Sequence, residues 1–315
     1  MAPSSDRVLT GQAHAPAELR LAAADGVTLR CLVAGEGPLV VLLHGFPDAP
    51  ESCWRHQLPA LVAAGYRVAA PALRGYGGSD RPSGIAPYAL DRLAADVVAL
   101  VRSLGEERAA LVAGHDWGGL VTWYLGAHHP GVADRLAVLN APHPAALARE
   151  LRRPGQLLRS LYALFFQLPA LPEALLSRGD YAPVRSAVQR AVRRPGAFTE
   201  ADWEAMRRAI AEPGALRAAL AYYRAAGRRT ARQLLQRGRP DAAAGDTAVV
   251  PLPTLLLWGG RDPFQSERLT HGLERWVPRL AIRHFPDAGH WVHWDAAAEV
   301  TEVLISWLAA GRPAG

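Results

Sequence analysis

The chain has 315 residues, half of them apolar and a fifth charged, a composition typical of soluble globular proteins and not of disordered or fibrous ones. All 35 basic residues are arginine, the net charge is +6, and residues 144–249 contain 18 arginines but only nine acidic residues. These arginines are scattered among alanines without interleaved aromatic residues, so the sequence predicts no nucleic-acid binding.

Cysteine content and the N-terminal segment bear on location. Two cysteines, Cys31 and Cys53, are too few for a disulfide framework and favour a reducing compartment. The N-terminal segment has no apolar signal-peptide region, so we expect a cytoplasmic protein. We also expect either a monomer or a homodimer. The longest uncharged apolar stretch, residues 160–172, is too short to span a bilayer. Because it lies in the arginine-rich region, the sequence leaves contact with a membrane surface open.

The first third of the chain predicts strands and one helix. Residues 19–35 are typical of a β-hairpin that turns at Asp25. The continuous apolar runs at residues 38–45 and 66–73 are typical of strands buried on both faces. Between them, residues 52–65 have helical spacing.

Strands and helices then alternate. Residues 87–105 form the clearest amphipathic pattern, and residues 118–130 predict a second helix that a proline ends. Residues 109–114 and 134–142 predict strands. This alternation predicts the α/β class, with a mostly parallel sheet and helices on both of its faces.

The pattern changes after this point. Residues 144–249 are rich in Ala, Arg and Leu at helical spacing and contain no strand-like run. They end in a Gly-, Pro- and Asp-rich stretch, residues 237–253, that predicts a linker. Strands return at residues 254–260 and 280–286, and we expect a helix after each. An all-helical insert therefore interrupts one α/β domain.

The stretch GHDWGG places an acid where hydrolases often carry serine. Gly114 and Gly118 flank Asp116 at the spacing of the nucleophile elbow, G-x-S-x-G. This turn would hold Asp116 at a helix N-terminus, where backbone N–H groups favour negative charge. A carboxylate can displace a leaving group at saturated carbon without help from a base, which forms an ester of the enzyme. The alternative is that Asp116 only caps the helix.

An acid and a histidine follow in the order expected for this type of elbow. Asp262 follows the strand at 254–260, and His290 follows the strand at 280–286. Asp262 would hold the imidazole in one tautomer while His290 activates water for attack on the ester. Asp287 and His293 are the alternative acid and base.

The negative charge that develops during ester hydrolysis needs hydrogen-bond donors. The residue after the nucleophile and the loop after the strand at 38–45 should supply them, namely the N–H groups of Trp117 and Phe46. The Phe46–Pro47 peptide is a candidate cis bond, because cis peptides occur almost only before proline.

Two close pairs of histidines, His128 with His129 and His290 with His293, raise the question of a metal. No acidic or cysteine cluster in the sequence completes either pair, so we expect no metal site and no other cofactor.

The motifs HGFPD, GHDWGG, WGGRDPF and AGHW together resemble the epoxide hydrolases of the α/β-hydrolase fold, over most of the chain from about Leu21. The resemblance implies a core of residues 1–143 and 250–315 and a helical cap, or lid, of residues 144–249. It also implies hydrolysis of an epoxide to a vicinal diol through a covalent ester of Asp116.

In this family two cap tyrosines donate hydrogen bonds to the epoxide oxygen. The matching segments point to Tyr162 and Tyr223, with Tyr222 as the alternative to the second. We expect both tyrosines, together with Phe46 and Trp117, to contact the substrate. Residues 165–173 predict an apolar lining, which favours an apolar small-molecule epoxide.

Two other functions are considered. Haloalkane dehalogenases also carry Asp followed by Trp at the elbow, but they often hold the halide with an Asn where this chain has Phe46. The tyrosine pair also favours an epoxide. A binding protein that kept the fold and lost turnover is the second alternative, and the presence of Asp116, Asp262 and His290 argues against it.

Overall fold

The computed structural model describes residues 16–235 and 249–310. In this part of the chain eight strands form one sheet: β1 (Ala17–Ala22), β2 (Thr28–Ala34), β3 (Leu39–Leu43), β4 (Arg67–Pro71), β5 (Leu111–His115), β6 (Leu136–Leu139), β7 (Thr254–Gly259) and β8 (Leu280–Phe285). The strand order is β1-β2-β4-β3-β5-β6-β7-β8. β2 is antiparallel to β1 and β4, and all other neighbours are parallel. The mostly parallel α/β sheet is confirmed, and the predicted hairpin is β1–β2.

Helices cover the sheet and fill the segment between β6 and β7. Those flanking the sheet are α1 (Pro50–Cys53), α2 (Gln57–Ala63), α3 (Leu90–Ser103), α4 (Trp117–His128), α12 (Val292–Asp295) and α13 (Ala297–Ala309). Those between β6 and β7 are α5 (Pro144–Glu150), α6 (Pro154–Arg159), α7 (Leu161–Phe165), α8 (Leu171–Leu176), α9 (Arg178–Ala191), α10 (Glu200–Ala211) and α11 (Ala215–Leu235).

The sheet is buried on both faces. Every residue of β3, β5, β6 and β7 is buried. Successive residues of β3 enter different cores: Val41 packs in one hydrophobic cluster with residues of α3 and α4, and Val40 packs in another with residues of α2 and α13. This alternation follows from the two-residue period of a strand and explains why these strands are uninterrupted apolar runs.

The described residues between β6 and β7 are helical, as the spacing predicted. The predicted linker at residues 237–253 falls mostly outside the described residues. No described helix combines the length and the apolar character that crossing a bilayer requires.

Two local predictions were wrong. The single helix predicted at residues 52–65 is two short helices, α1 and α2, because the chain turns at Trp54, which is fully buried against His293. The helix expected after β7 is only a four-residue 3₁₀ turn, Glu267–Thr270. There the Asp262 carboxylate accepts hydrogen bonds from the next backbone N–H groups and holds the chain in a loop.

Candidate active site

The turn between β5 and α4 has a backbone that few residues adopt. Asp116 has φ 49° and ψ −115°, a strained conformation for a residue with a side chain. A Cβ on Gly114 would overlap the Gly118 carbonyl oxygen, and a Cβ on Gly118 would overlap the Leu43 carbonyl oxygen. The flanking glycines are therefore required because backbone atoms occupy the space that a side chain would need.

The Asp116 side chain does not cap the helix that follows it. It makes no capping hydrogen bond to α4. Instead the Phe46 N–H donates to Asp116 Oδ1 at 2.9 Å, and the Phe46–Pro47 peptide is cis as predicted. Among the described hydrogen bonds none runs from the Trp117 N–H to this carboxylate, so Trp117 as second donor stays a prediction.

His290 lies between the two predicted acids. Its Nδ1 is 2.7 Å from Asp262 Oδ2, and its Nε2 is 3.7 Å from Asp116 Oδ2. The other oxygen of Asp262 accepts hydrogen bonds from the N–H groups of Phe264, at 2.7 Å, and Gln265, at 3.0 Å. The three residues predicted from separate motifs thus meet at the carboxyl ends of β5, β7 and β8, where ligands of parallel sheets bind.

The charges of these groups depend on one another. Burial lowers the pKa of His290, but the carboxylates of Asp262 and Asp116 override it and raise that pKa to about 10. Burial would raise the pKa of the Asp116 carboxyl, yet contact with His290 and the Phe46 N–H hold it below its usual value. Asp116 is therefore ionised at neutral pH and faces a protonated imidazole.

A cavity of about 250 Å³ opens above Asp116 and His290, and Tyr162, Tyr223 and Phe46 line it. Its apolar walls come mainly from α7 to α9 and from the loop after β7: Phe165, Phe166, Leu176, Val184, Val188 and Phe264. The segment predicted to give an apolar lining therefore contributes two phenylalanines to it.

The two tyrosines pack edge to face in the lining of this cavity. The ring centroids of Tyr162 and Tyr223 are 6.0 Å apart. Burial is the larger cause and the negative charge of Asp116 the second cause of a raised pKa at both hydroxyls. Both tyrosines therefore remain protonated donors. Tyr222 points elsewhere and donates to the Arg74 carbonyl oxygen at 2.7 Å. Trp117 packs edge-on against the ring of Tyr223 and does not line the cavity, so its contact with substrate stays a prediction.

Comparison with known proteins identifies the family. Residues 38–297 match the family model described as the alpha/beta hydrolase fold. The chain is 36% identical to Epoxide hydrolase A of Mycobacterium tuberculosis (93% of this chain, 98% of the relative) and 37% identical to the AB hydrolase superfamily protein YfhM of Bacillus subtilis (90% and 95%). It aligns with an inhibitor complex of a Bacillus megaterium epoxide hydrolase at TM-score 0.80 and 27% identity, covering 93% of this chain and all of the other.

The chain belongs to the epoxide hydrolase family of the α/β-hydrolase fold. In this epoxide hydrolase family member, the alternative acid and base, Asp287 and His293, do not line the cavity. Asp287 is exposed and pairs with Arg261. His293 is fully buried, with its Nε2 3.4 Å from Cys53 Sγ.

The sequence did not reveal one residue that supports the site. Asn140, directly after β6, has φ 40° and is fully buried. Its amide nitrogen donates to Asp262 Oδ2 at 2.7 Å, the same oxygen that contacts His290, and its Oδ1 accepts from the Gly259 N–H at 2.9 Å. The signal in the sequence was a polar residue at the end of a buried strand, next to the strand that carries Asp262.

Proposed function

We propose that this protein hydrolyses an epoxide to a vicinal diol through a covalent ester of Asp116. The observation that carries the proposal is the environment of the ionised Asp116 carboxylate. It lies beside a backbone N–H donor and an imidazole, in a cavity that two protonated tyrosines also line. Residues 144–249 would act as the cap, because α7, α9 and α11 supply Tyr162, Val184 and Tyr223 to that cavity.

In the first step Asp116 Oδ2 attacks one carbon of the ring and the carbon–oxygen bond opens. Tyr162 or Tyr223 donates a proton to the oxygen that leaves, and that phenol then recovers a proton from solvent. Oδ1 becomes the carbonyl oxygen of the ester and keeps its hydrogen bond from the Phe46 N–H, which stabilises the charge that develops there in the second step.

In the second step His290 removes a proton from water, which attacks the Asp116 carbonyl carbon. Ester formation prepares His290 for this role: it neutralises one of the two carboxylates that raise the imidazole pKa, so the ring releases its proton to solvent and Nε2 becomes a free base. Asp262, held by Asn140 and by two backbone N–H groups, keeps Nε2 of the ring directed at the ester. The intermediate then collapses, the leaving alkoxide takes the proton of the newly formed Asp116 carboxyl, and the diol leaves. This restores the Asp116 carboxylate beside the protonated imidazole of His290.

The cavity favours an apolar epoxide of modest size. Its volume of about 250 Å³ is below the usual range of drug-sized ligand sites, and its walls are aromatic and aliphatic. Aryl-substituted or short alkyl epoxides fit these walls better than long lipid epoxides. A haloalkane is disfavoured because side-chain N–H groups around the site are engaged: Trp117 hydrogen-bonds the Tyr223 hydroxyl, Trp291 donates to Asp48, and Asn140 donates to Asp262.

The test is to trap the intermediate. With a styrene-type oxide, His290→Gln should accumulate protein whose mass has increased by one substrate, because alkylation proceeds and hydrolysis does not. The same substitution at the exposed His271 should leave turnover unchanged. Asp116→Ala should abolish diol formation and, combined with His290→Gln, should abolish the adduct as well. Asp287→Ala should form diol as the wild type does.

Isotope labelling provides the second measurement. A single turnover of the wild-type enzyme in ¹⁸O-water should release unlabelled diol, because its new oxygen comes from Asp116. Labelled diol in that first turnover, or full activity of His290→Gln, would contradict the mechanism. Binding of epoxides without turnover would favour the binding-protein alternative, and halide release from chloroalkanes would favour the dehalogenase.

A further inference from the structure

A second cluster of chemically active side chains lies beneath the active site. Asp48, Cys53, His115 and His293 are each fully buried and lie outside the substrate cavity. Cys53 Sγ is 3.4 Å from His293 Nε2, and His115 Nδ1 is 3.6 Å from Asp48 Oδ2. One candidate ligand atom from each of Cys53, His115 and His293 lies within 4.8 Å of the others. Asp48 adjoins this group of three through its contact with His115.

One hydrogen bond places a proton on Nε2 of His115. Its Nε2 is 3.0 Å from the carbonyl oxygen of His290, which can only accept, so Nε2 carries the proton. In the neutral ring Nδ1 then has a lone pair, and it faces an oxygen of the Asp48 carboxylate. At 3.6 Å these two atoms form no hydrogen bond, and within the described residues neither His115 Nδ1 nor Asp48 Oδ1 has a hydrogen-bond partner.

The charge of Asp48 is also poorly balanced. In the described part of the chain the side chains that donate toward its carboxylate are neutral: the Trp291 indole N–H at 3.0 Å and the Cys53 thiol, a weak donor. A fully buried carboxylate with only neutral side-chain donors is costly unless a positive charge accompanies it. A cation at the centre of the cluster would supply that charge and would bind the unshared lone pair of His115.

We propose that Asp48, Cys53, His115 and His293 bind one zinc ion. Ligands at about 2.0–2.3 Å from a tetrahedral zinc lie roughly 3.3–3.7 Å from one another, as Cys53 Sγ and His293 Nε2 do, and as His115 Nδ1 and Asp48 Oδ2 do. The other pairs among Cys53, His115 and His293 lie within 4.8 Å, and side-chain rotation on binding would close them to this spacing. Thiolate sulfur, imidazole nitrogen and carboxylate oxygen are each ligand types that zinc binds in proteins. On binding, the Cys53 thiol loses its proton to solvent, and the thiolate and the Asp48 carboxylate together neutralise the dication.

The surroundings of His115 resemble those of a metal ligand. Metal-bound histidines commonly donate their second ring N–H to a backbone carbonyl, as His115 does to His290. Four protein ligands leave no position for substrate or water, so the zinc would be structural. It would join the strand that precedes Asp116 to the segment that follows His290. The zinc site does not depend on which substrate the enzyme accepts.

The metal content of the purified protein tests this proposal. Full-length protein without a polyhistidine tag should be equilibrated with Zn²⁺, dialysed against metal-free buffer and analysed by inductively coupled plasma mass spectrometry. We expect about one zinc per chain in the wild type. Cys53→Ser and His293→Gln should reduce zinc content at least about tenfold. Cys31→Ser, at the other buried cysteine, should retain it.

Substitution with cobalt tests directly whether the Cys53 sulfur binds the metal. Co²⁺-substituted wild type and Cys31→Ser should show the thiolate-to-metal charge-transfer band and the visible bands of a tetrahedral site, and Cys53→Ser should lose the former. Wild-type protein that fails to take up zinc in competition with a chromophoric chelator would overturn the proposal, even if the variants do not fold. Zinc that persists in both variants would also overturn it.

Discussion

At the scale of single residues, Asp116 and His290 each stabilise the ionised form of the other. Their side chains are 3.7 Å apart in a largely buried setting, and each shifts the other's pKa toward the ionised form. A raised histidine pKa contributes stability that is fully present below the unfolded value near 6.5 and is lost as the pH rises through about 10. The same coupling delays the appearance of a neutral base until the ester has formed.

Asp116→Asn should therefore lower the pKa of His290 from about 10 toward its ordinary value, leaving the part of the shift that Asp262 causes. An NMR titration of the histidine ring protons, with His290→Gln to assign the signal, measures this change. An unchanged His290 pKa in the variant would show that Asp116 does not contribute to it.

Asn140→Ala should reduce kcat while affecting KM little, because Asn140 acts through Asp262 and does not line the cavity. Loss of one donor to a charged oxygen should cost roughly 1.5–3 kcal/mol, about tenfold to a hundredfold in rate. The informative readout is the pH profile: one donor fewer on Asp262 should also move the apparent pKa of ester hydrolysis. If kcat falls with no such movement, Asn140 is only structural.

At the scale of elements, the β5–α4 turn is fixed by backbone atoms. Gly118→Ala should prevent correct packing, since its Cβ would overlap the Leu43 carbonyl oxygen. We expect a loss of roughly 3 kcal/mol or more in the free energy of unfolding, or insoluble protein. Gly131→Ala is the matched control, because no heavy atom lies within 4 Å of the place its new Cβ would take and its φ is not positive. Urea unfolding of both variants measures the difference.

Elements fixed by local pattern could be predicted from the sequence, and elements fixed by distant contacts could not. β3, β5 and β7 are apolar runs, and α3 has one apolar face, so each is visible in a short window. The break between α1 and α2 depends on the burial of Trp54 against His293, far along the chain.

The same distinction applies to the site. Asp116, Asp262 and His290 stand in motifs that can be recognised one at a time. Asn140 and the cluster around Cys53 acquire their contacts only through the strand order: Asn140 meets Asp262 122 residues away, and Cys53 meets His293 240 residues away. No metal was expected from the sequence because the cysteine and the acid that accompany His293 lie near the other end of the chain.

At the scale of the whole molecule, a buried ion pair beside the sheet adjoins a contact with the helical insert. Arg74, after β4, makes two hydrogen bonds of 2.5 and 2.6 Å to Asp96 of α3, and both side chains are almost fully buried. The Arg74 carbonyl oxygen accepts the Tyr222 hydroxyl of α11. The position of the insert above the active site therefore depends in part on this pair.

Asp96→Ala should lower the free energy of unfolding by roughly 3–5 kcal/mol, because it leaves the buried Arg74 guanidinium without its counter-ion. Asp134→Ala removes the acid of an exposed pair with Arg108 and should change stability by less than about 1 kcal/mol. Denaturant unfolding distinguishes the two. Equal effects in the two variants would contradict the importance assigned to the buried pair.

The strained turn at Asp116 has a consequence for how this enzyme can diversify. Its neighbours are main-chain atoms, which no substitution can reshape, whereas the cavity above it is bounded by interchangeable side chains such as Leu176, Val184 and Val188. Selection for a different substrate can therefore replace the side chains that line the cavity, while the position of the Asp116 carboxylate stays fixed. Reactivity and selectivity are thus inherited through separate parts of the chain.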